Sequence, residues 1–342
     1  MTNNTFTRSL HLSEDIVILD GLTGTGKTMF APLLNTFDRM QNGRFEYMIE
    51  YLSITRHMNK ISDDASFTLL NLLADVKIYD GVISREVNFR PSDLSSIFNS
   101  GKSLKYIKQL FLKDGIFAGN RIQKEKPILF FVTHQLLTCF DSINNAFEKR
   151  FKIIEMVRHP LYLLDHWNSY ISMHGKNSRD FTIWIKYKEF ELPWFAQGWE
   201  ELYINSSDYD KVVYAIVYLM KPIFEKIDDI KYADRITFIP FEKFVLNPKP
   251  YLIAIEKILG VESTKKTFHF MKSQKVPRKL IFNGPQKNIY KRYAVKKNNI
   301  HITHEKDYEH KFSSAKLNCS PEAYTKLIDL INLYEKNFGL WF

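Results

Sequence analysis

One short segment constrains the fold of this chain more than any other. Residues 21–28 read Gly-Leu-Thr-Gly-Thr-Gly-Lys-Thr and meet the full pattern G-x-x-x-x-G-K-[ST]. A β-branched apolar run, residues 15–20, precedes this loop, and apolar side chains recur at helical spacing after Lys27. Glycines let backbone N–H groups converge on phosphate oxygens, and the helix N-terminus and Lys27 add positive charge. The sequence therefore predicts a phosphate-binding loop between a strand and a helix.

Short apolar runs alternate with longer amphipathic stretches along the rest of the chain. The predicted strands are residues 15–20, 128–132, 153–157 and 236–239. The predicted helices are residues 27–38, 67–76, 104–112, 136–147, 161–172, 209–227, 250–259 and 321–338. Near-continuous apolar strands separated by helices are typical of the α/β class. We expect a three-layer P-loop fold in which a central, mainly parallel sheet is flanked by helices.

The sequence shows no internal repeat, low-complexity tract or Pro/Gly/Ser-rich linker. This continuity predicts one domain over residues 1–342. The stretch around 179–207 is dense in aromatic residues. It fits a lid or an insertion on the acceptor side of a site, and a plain hydrophobic core explains it equally well. The Lys-rich stretch 287–297 is predicted to be a solvated face.

Composition narrows the classes of function. The chain has 48 Lys and Arg against 38 Asp and Glu, a formal charge of +10, which favours a site for an anion. No apolar run approaches the roughly 18 residues of a membrane span, and the N-terminus lacks the apolar core of a signal peptide. Cys139 and Cys319 are not in metal-ligand spacing. We expect a soluble cytoplasmic protein with neither a disulfide framework nor a metal site.

The residues that follow two other predicted strands indicate the chemistry at the loop. A metal-dependent nucleoside-triphosphate enzyme needs an acidic residue at the end of a neighbouring strand. Here strand 128–132 runs into Thr133-His134, and strand 153–157 runs into Arg158-His159. Ligands of open α/β folds bind at the carboxyl ends of the strands, so a base and a fixed cation are predicted to face the phosphate loop. This combination suits transfer of an anionic group without a metal.

Arranged in this order, these segments resemble the P-loop sulfotransferases, which transfer a sulfonate group from 3′-phosphoadenosine 5′-phosphosulfate (PAPS) to a hydroxyl or amine. Residues 16–28 occupy the place of the family's 5′-phosphosulfate loop. The segment Phe131-Val-Thr-His134 is similar to the strand that leads to the family's catalytic His. Residues 156–160, Met-Val-Arg-His-Pro, are similar to the Arg-x-Pro segment whose Arg holds the 3′-phosphate. Residues 238–242, 247–248 and 258–260 are similar to the family's later strand, Asn/Asp-Pro and Leu-Gly elements.

The resemblance implies a PAPS-dependent enzyme that acts on a small-molecule or glycan acceptor. Its catalytic residues would be His134, which takes the acceptor proton, and Lys27, which stabilises charge on the phosphate side of the donor. No metal and no nucleic-acid partner are expected. The cofactor-binding residues implied are Gly24, Thr25, Gly26, Lys27, Thr28, Met29, Arg158, His166, Arg278 and Lys279.

Two positions depart from the family pattern. Members usually have Ser eight residues after the Arg, whereas this chain has His166 there and Ser169 three residues further on. Members often place Lys or Arg before a Gly-Thr pair, whereas here the lysine follows Gly26. The second departure keeps another hypothesis open, an ATP- and Mg²⁺-dependent P-loop kinase of a small molecule or nucleoside. In such a kinase Thr28 would reach the metal, and Asp20 or Glu50 would be the base.

Each candidate residue also has a purely structural interpretation. Lys27 would be a solvated lysine at a helix start, and His134 a hydrogen-bonded turn residue. Arg158 would form an ion pair with Glu155 or Asp165.

The remaining candidate residues likewise have functional and structural interpretations. Glu242 is predicted to accept backbone hydrogen bonds rather than to catalyse, and His166 fits either a phosphate contact or a buried structural role. Glu50 or His57 would be the base if His134 is not. A third class of function, nucleic-acid binding through the positive charge and the many aromatics, lacks a recognisable binding module in this sequence.

Overall fold

The computed structural model describes residues 4–93, 95–176, 178, 180–285 and 303–342. The strands of these residues are β1 (Asp15–Asp20), β2 (Arg44–Phe45), β3 (Ile128–Val132), β4 (Phe151–Val157), β5 (Trp184–Tyr187), β6 (Phe190–Pro193) and β7 (Ile236–Pro240). A central sheet has the spatial order β2-β3-β1-β4-β7, and every pair in it is parallel. Strands β5 and β6 form a separate antiparallel hairpin.

Helices surround this sheet. They are α1 (Lys27–Leu34), α2 (Tyr47–His57), α3 (Asp63–Val82), α4 (Ser103–Gln109), α5 (Ile116–Glu125), α6 (Phe140–Phe147), α7 (Pro160–Ser172), α8 (Glu200–Asn205), α9 (Asp208–Ile227), α10 (Phe241–Leu246), α11 (Lys249–Leu259), α12 (Lys265–Ser273), α13 (His304–Asn318) and α14 (Pro321–Phe338). Helices link successive strands of the sheet, as parallel pairing requires. The expected α/β class, with a central parallel sheet flanked by helices, is confirmed.

The sheet positions the candidate site. All five residues of β3 are buried, as are all residues of β1 after Asp15, because helices cover both faces of the sheet. The strands are parallel, so their carboxyl ends lie at one edge. The residues that follow these ends are Gly21 after β1, Thr133 after β3, Arg158 after β4 and Phe241 after β7. One edge of the sheet therefore brings together segments that are far apart in sequence.

Several predicted boundaries differ from the structure for local reasons. The first helix ends at Leu34 rather than at 38, because the Thr36 hydroxyl donates to the Leu33 carbonyl and Asn35 accepts from the Gly43 amide. Helix α3 begins earlier than residue 67, since Ser62 caps it by accepting from the Ala65 amide. The predicted helix 136–147 is a 3-10 turn, residues 136–139, followed by α6.

The described residues contain no helix that is both long and apolar enough to cross a membrane. The Lys-rich stretch 287–297 lies outside the described residues. That the chain forms one domain, with an acceptor-side insertion near 179–207, stays a prediction. Within that stretch, the hairpin of β5 and β6 is followed by a short turn in which Trp194 and Phe195 are buried.

Candidate active site

The phosphate loop has the backbone that its glycines were predicted to allow. Gly21, directly after β1, has φ +134°, and a Cβ atom there would lie 2.3 Å from the Met156 carbonyl oxygen. Gly24 has φ +93°, and a Cβ atom there would lie 2.8 Å from the His166 ring. Only glycine fits these positions without displacing the neighbouring strand or helix. The loop is thus held closely against β4 and α7, and helix α1 begins at its end.

Lys27 is buried beneath the loop, so the solvated interpretation of this lysine is wrong. Its Nζ donates hydrogen bonds to the carbonyl oxygens of Gly21 and Leu22, the latter at 2.8 Å. Burial lowers the pKa of Lys27 from 10.5 to about 8, although the carboxylates nearby oppose this shift. A lysine with that pKa still carries its positive charge at neutral pH. The loop therefore contains a largely desolvated cation, and charges act strongly in such surroundings.

Two acidic residues lie next to Lys27 at the end of the sheet. Asp20 and Glu155 are register partners on β1 and β4, and both are buried. Asp20 accepts from the Thr133 hydroxyl at 2.9 Å and from the amides of Leu136 and Leu137 at 2.6 and 3.2 Å. Burial and the charge of Asp20 hold the pKa of Glu155 well above its usual range. Glu155 is therefore the neutral member of the pair, and three hydrogen-bond donors hold the Asp20 carboxyl group in place.

Arg158 reaches the loop from the end of β4. Its Nη1 donates to the Gly24 carbonyl at 2.7 Å, and its guanidinium lies 4.9 Å from the centre of the Phe241 ring. The alternative interpretation of Arg158, an ion pair with Glu155 or Asp165, is wrong: among the described residues Arg158 pairs with Glu242, and Asp165 pairs with Lys311 on α13. The carboxylate closest to Arg158 is Glu242, whose Oε1 lies 3.5 Å from Nε.

Glu242 is fully buried at the start of α10. Burial raises its pKa, and the charges of Arg158 and His159 partly oppose this shift. The Tyr334 hydroxyl of α14 donates to Glu242 at 3.4 Å. Backbone hydrogen bonds from Glu242 itself and from His159 also act on this carboxyl, as predicted. Glu242 in addition links Arg158 to the C-terminal helix through its side chain.

Arg278 lies beside the same aromatic ring. Its guanidinium is 5.8 Å from the centre of Phe241, and its Nη2 is 3.5 Å from the Met29 sulfur on α1. A Cβ atom on Gly26 would lie 2.4 Å from the Phe241 ring, so this ring closes directly on the loop. Two arginines from distant parts of the chain therefore share one aromatic ring at the loop. Lys279, the neighbour of Arg278, is exposed.

His166 occupies the position at which the resembled family usually has Ser. Its ring packs against Gly24 of the loop. Burial, together with the charges of Arg158 and Lys27, lowers the pKa of His166 to about 4. In these surroundings the imidazole is therefore neutral at physiological pH. Ser169 donates its hydroxyl to the Asp165 carbonyl at 3.1 Å within α7.

His134 follows β3 and pairs with Glu50 of α2. The Glu50 Oε1 atom lies 3.1 Å from His134 Nδ1 and accepts from the His134 amide at 3.0 Å. The His134 ring stacks on Phe45 with a centroid distance of 4.6 Å and an interplanar angle of 5°. Because the same Oε1 atom accepts from the His134 amide, Glu50 favours the tautomer with its proton on Nδ1. Nε2 is then left with its lone pair, as a general base requires.

A pocket of about 120 Å³ opens beside this pair. The loop reaches it through Thr23, whose carbonyl accepts from the Trp167 indole at 2.9 Å. The charged residues among its described lining are Glu50 and Asp180. Its aromatic lining residues, besides its two histidines, are Tyr47, Tyr51, Tyr170, Phe181, Trp194 and Phe195. His57, the other alternative base, is not among the lining residues, whereas Glu50 and His134 both are.

Sequence reasoning brought the loop, His134 and Arg158 to one sheet edge, and the structure places them there. The sequence gives no indication that both arginines lie against the Phe241 ring or that Glu50 contacts His134. Glu50 and His134 are 84 positions apart, and Arg158 and Phe241 are 83 apart. Acidic and aromatic residues are common, so only the fold distinguishes these from the others.

Comparisons with known proteins yield only distant similarities. No protein-family model matches the chain, and no curated protein matches it. The sulfotransferase domain of the Synechococcus PCC 7002 olefin synthase is 12% identical, with a TM-score of 0.42 over 97% of this chain and 98% of that one. The sulfotransferase domain of the curacin biosynthetic pathway is 12% identical, with a TM-score of 0.45 over 93% and 97%. A sulfotransferase from Mycobacterium avium is 13% identical, with a TM-score of 0.37 over 77% and 68%.

Similarities of this size carry no information about the substrates or the site residues of this chain. These three solved structures are sulfotransferases or sulfotransferase domains.

Proposed function

We propose that this protein is a sulfotransferase that moves a sulfonate group from PAPS to a hydroxyl or amine of a carbohydrate or small metabolite. The observation that carries the proposal is the pair of guanidinium groups of Arg158 and Arg278 at the ring of Phe241, beside the phosphate loop. PAPS has phosphate groups at both the 5′ and the 3′ positions. A loop of backbone amides together with a separate pair of arginines fits two phosphate groups, and Arg is well suited to bidentate phosphate contacts.

The residues at the loop would hold the donor, which supplies the sulfonate group. Gly24, Gly26 and Thr28 would offer backbone amides to the 5′-phosphate, with Met29 following in α1. Thr25 would shape the loop around it, because its amide donates to the Leu22 carbonyl at 3.2 Å. Arg158 and Arg278 would bind the 3′-phosphate, His166 would donate a hydrogen bond there, and exposed Lys279 would add charge at the rim.

Lys27 would stabilise the negative charge that develops on the 5′-phosphate side. Because it is largely desolvated, its charge acts with little screening. Lys27 is buried beneath the loop, so it would contact the donor from the inner side of the loop. The two arginines would contact the donor from the side of the loop on which Phe241 lies.

His134 would take the proton of the acceptor. Glu50 holds Nδ1, so the base would be Nε2, and the adjacent pocket would hold the acceptor. Aromatic rings mixed with hydrogen-bonding groups suit the apolar faces and hydroxyls of a sugar, which supports a carbohydrate acceptor. The part of the 179–207 stretch that lines this pocket, with Trp194 and Phe195, supports its role on the acceptor side.

The kinase hypothesis has one observation in its favour, the complete G-x-x-x-x-G-K-T loop. In a kinase Asp20 was one candidate base. Its carboxylate is fully buried and accepts from three donors, so it is poorly placed to take a substrate proton. Glu50 is the remaining candidate, and it contacts His134 instead.

The test is isothermal titration of the protein with adenosine 3′,5′-bisphosphate and, separately, with ATP and Mg²⁺. We expect micromolar binding of the bisphosphate without metal. Arg158→Ala removes charge-assisted hydrogen bonds and should weaken this binding about tenfold to hundredfold. Lys27→Ala should also weaken it. Arg90→Ala is the matched control, since this arginine is exposed and lies outside the site.

Two results would overturn the proposal. One is preferential binding of ATP–Mg²⁺ with no response to the bisphosphate, which would favour the kinase. The other is bisphosphate binding that Arg158→Ala and Arg90→Ala change equally.

A further inference from the structure

A second surface, outside the candidate site, combines exposed apolar side chains with positive charge. Every residue from Leu110 to Phe117 is exposed, in the sequence Leu-Phe-Leu-Lys-Asp-Gly-Ile-Phe. Phe111 and Ile116 are 84% and 74% exposed. The other exposed large apolar residues of residues 102–126, here called the basic apolar segment, are Leu104, Ile107, Leu110, Leu112 and Phe117. Soluble monomers rarely expose so many adjacent large apolar side chains without a partner.

The basic apolar segment is anchored to the fold on both sides of its exposed stretch. Tyr106 of α4 is buried, and its carbonyl accepts from the Ser84 hydroxyl at 2.8 Å. Ala118 and Ile122 of α5 are also buried. Between them, the Gly115 amide donates to the Tyr79 hydroxyl at 2.6 Å. Buried residues on both sides therefore fix the position of the exposed apolar residues on the surface.

Charge in this segment is strongly asymmetric. It contains seven Lys and Arg against two Asp and Glu, a net charge of +5, which is half of the +10 of the whole chain. Both acids are already paired: Glu125 with Lys105 at 3.3 Å, and Asp114 with Arg85 at 3.5 Å. Lys108 and Lys124 are exposed. The exposed lysines Lys108, Lys113 and Lys124 therefore add positive charge to the same segment as the apolar side chains.

We propose that the basic apolar segment docks the protein on the surface of a membrane that contains anionic lipids. Apolar side chains would enter the boundary between headgroups and acyl chains, while the lysines would contact the lipid phosphates. Five of the seven exposed large apolar residues are aliphatic, which suits acyl chains better than the bases of a nucleic acid, because bases stack on aromatic rings. A second copy of the chain is disfavoured, since a two-fold contact would bring two +5 segments together.

This proposal does not depend on the proposed sulfonate transfer. The test is co-sedimentation with phosphatidylcholine vesicles, with and without phosphatidylserine. We expect binding to the vesicles that contain phosphatidylserine, which added salt weakens. Each lysine near the surface contributes about fivefold to binding, so Lys108→Ala should weaken it by about that factor.

The double variant F111S/I116S should lose vesicle binding. Its matched control is I230S/L317S, which changes two residues that are 89% and 85% exposed and lie elsewhere. Unchanged thermal unfolding of both variants would show that each remains folded.

Three results would overturn the proposal. The first is no preference for vesicles with phosphatidylserine, and the second is equal vesicle binding by the two double variants. The third is an absence of vesicle binding, together with either binding to a random oligonucleotide or dimerisation that F111S/I116S abolishes.

Discussion

Lys27→Met tests whether the fold retains a charged lysine beneath the loop at a cost in stability. Burial lowers the pKa of this residue from 10.5 to about 8. Each pKa unit corresponds to about 1.4 kcal/mol of differential interaction with the two protonation states. At pH 7 the charged Lys27 therefore lowers the free energy of unfolding by about 3 kcal/mol. Its hydrogen bonds to the carbonyls of Gly21 and Leu22 offset part of this cost.

The pH dependence of the free energy of unfolding separates the cost of burying the charge from the gain of the hydrogen bonds. Between pH 8 and 10.5 the unfolded chain keeps the lysine proton and the folded chain loses it. The unfolded state then binds more protons, so the free energy of unfolding rises with pH over this range. At pH 9.5 the cost has fallen to about 1 kcal/mol. Between pH 7 and pH 9.5, wild type should therefore gain about 2 kcal/mol relative to Lys27→Met, which lacks the titrating group.

Urea unfolding of both proteins at pH 7 and pH 9.5 measures this difference. Lys221→Met is the control, because that lysine side chain is 75% exposed and should show no such gain. A difference between wild type and Lys27→Met that is the same at both pH values would refute the reasoning from burial.

Three further predictions concern the loop and its neighbours. Gly24→Ala should lower the free energy of unfolding, measured in urea, by about 1–3 kcal/mol, because φ is +93° and the new Cβ would meet His166. Its control is Gly119→Ala in α5, which has open space around it and should be neutral or stabilising. Glu50→Gln should lower kcat at least about tenfold and leave bisphosphate affinity unchanged, and equal kcat in the two proteins would contradict its positioning role. Glu155→Gln should be more stable than wild type, by a margin that grows as pH rises above 4.5. The reason is that folded wild type holds a proton on this carboxyl that the unfolded chain has lost, and urea unfolding at pH 5 and pH 8 checks this.

Strands buried on both faces could be predicted from the sequence almost to the residue. Residues 15–20 and 128–132 form β1 and β3 as predicted, since a continuous apolar run between polar residues has few other solutions. Helix α2 was missed because its buried face includes Glu50 and Ser53 beside Ile49 and Ile54. That mixed face weakens the helical repeat of apolar residues on which the prediction relied.

The candidate site was predictable where a residue follows a strand and not where two side chains meet. Lys27, His134 and Arg158 were assigned from their places after predicted strands or within the loop pattern. The contact between Arg158 and Glu242 depends on how α10 leaves β7, whereas Glu155 and Asp165 are the acidic residues near Arg158 in sequence. Proximity in sequence is a poor guide to ion pairs at a sheet edge, because the edge joins residues from different strands.

The two cations nearest the loop differ in how readily a phosphate can use them. Arg158 donates to the Gly24 carbonyl through Nη1, and its side chain remains 24% exposed. The stack on Phe241 and the nearby Glu242 also fix its guanidinium, so a phosphate would order little further side chain on binding.

Lys27 is only 4% exposed and donates to two loop carbonyls, which compete with any phosphate for its protons. We therefore expect bisphosphate affinity to fall further in Arg158→Ala than in Lys27→Ala. The reverse order in titration would mean that Lys27 leaves the carbonyls of Gly21 and Leu22 at little cost. The buried position of Lys27 would then be a poor guide to its role in binding.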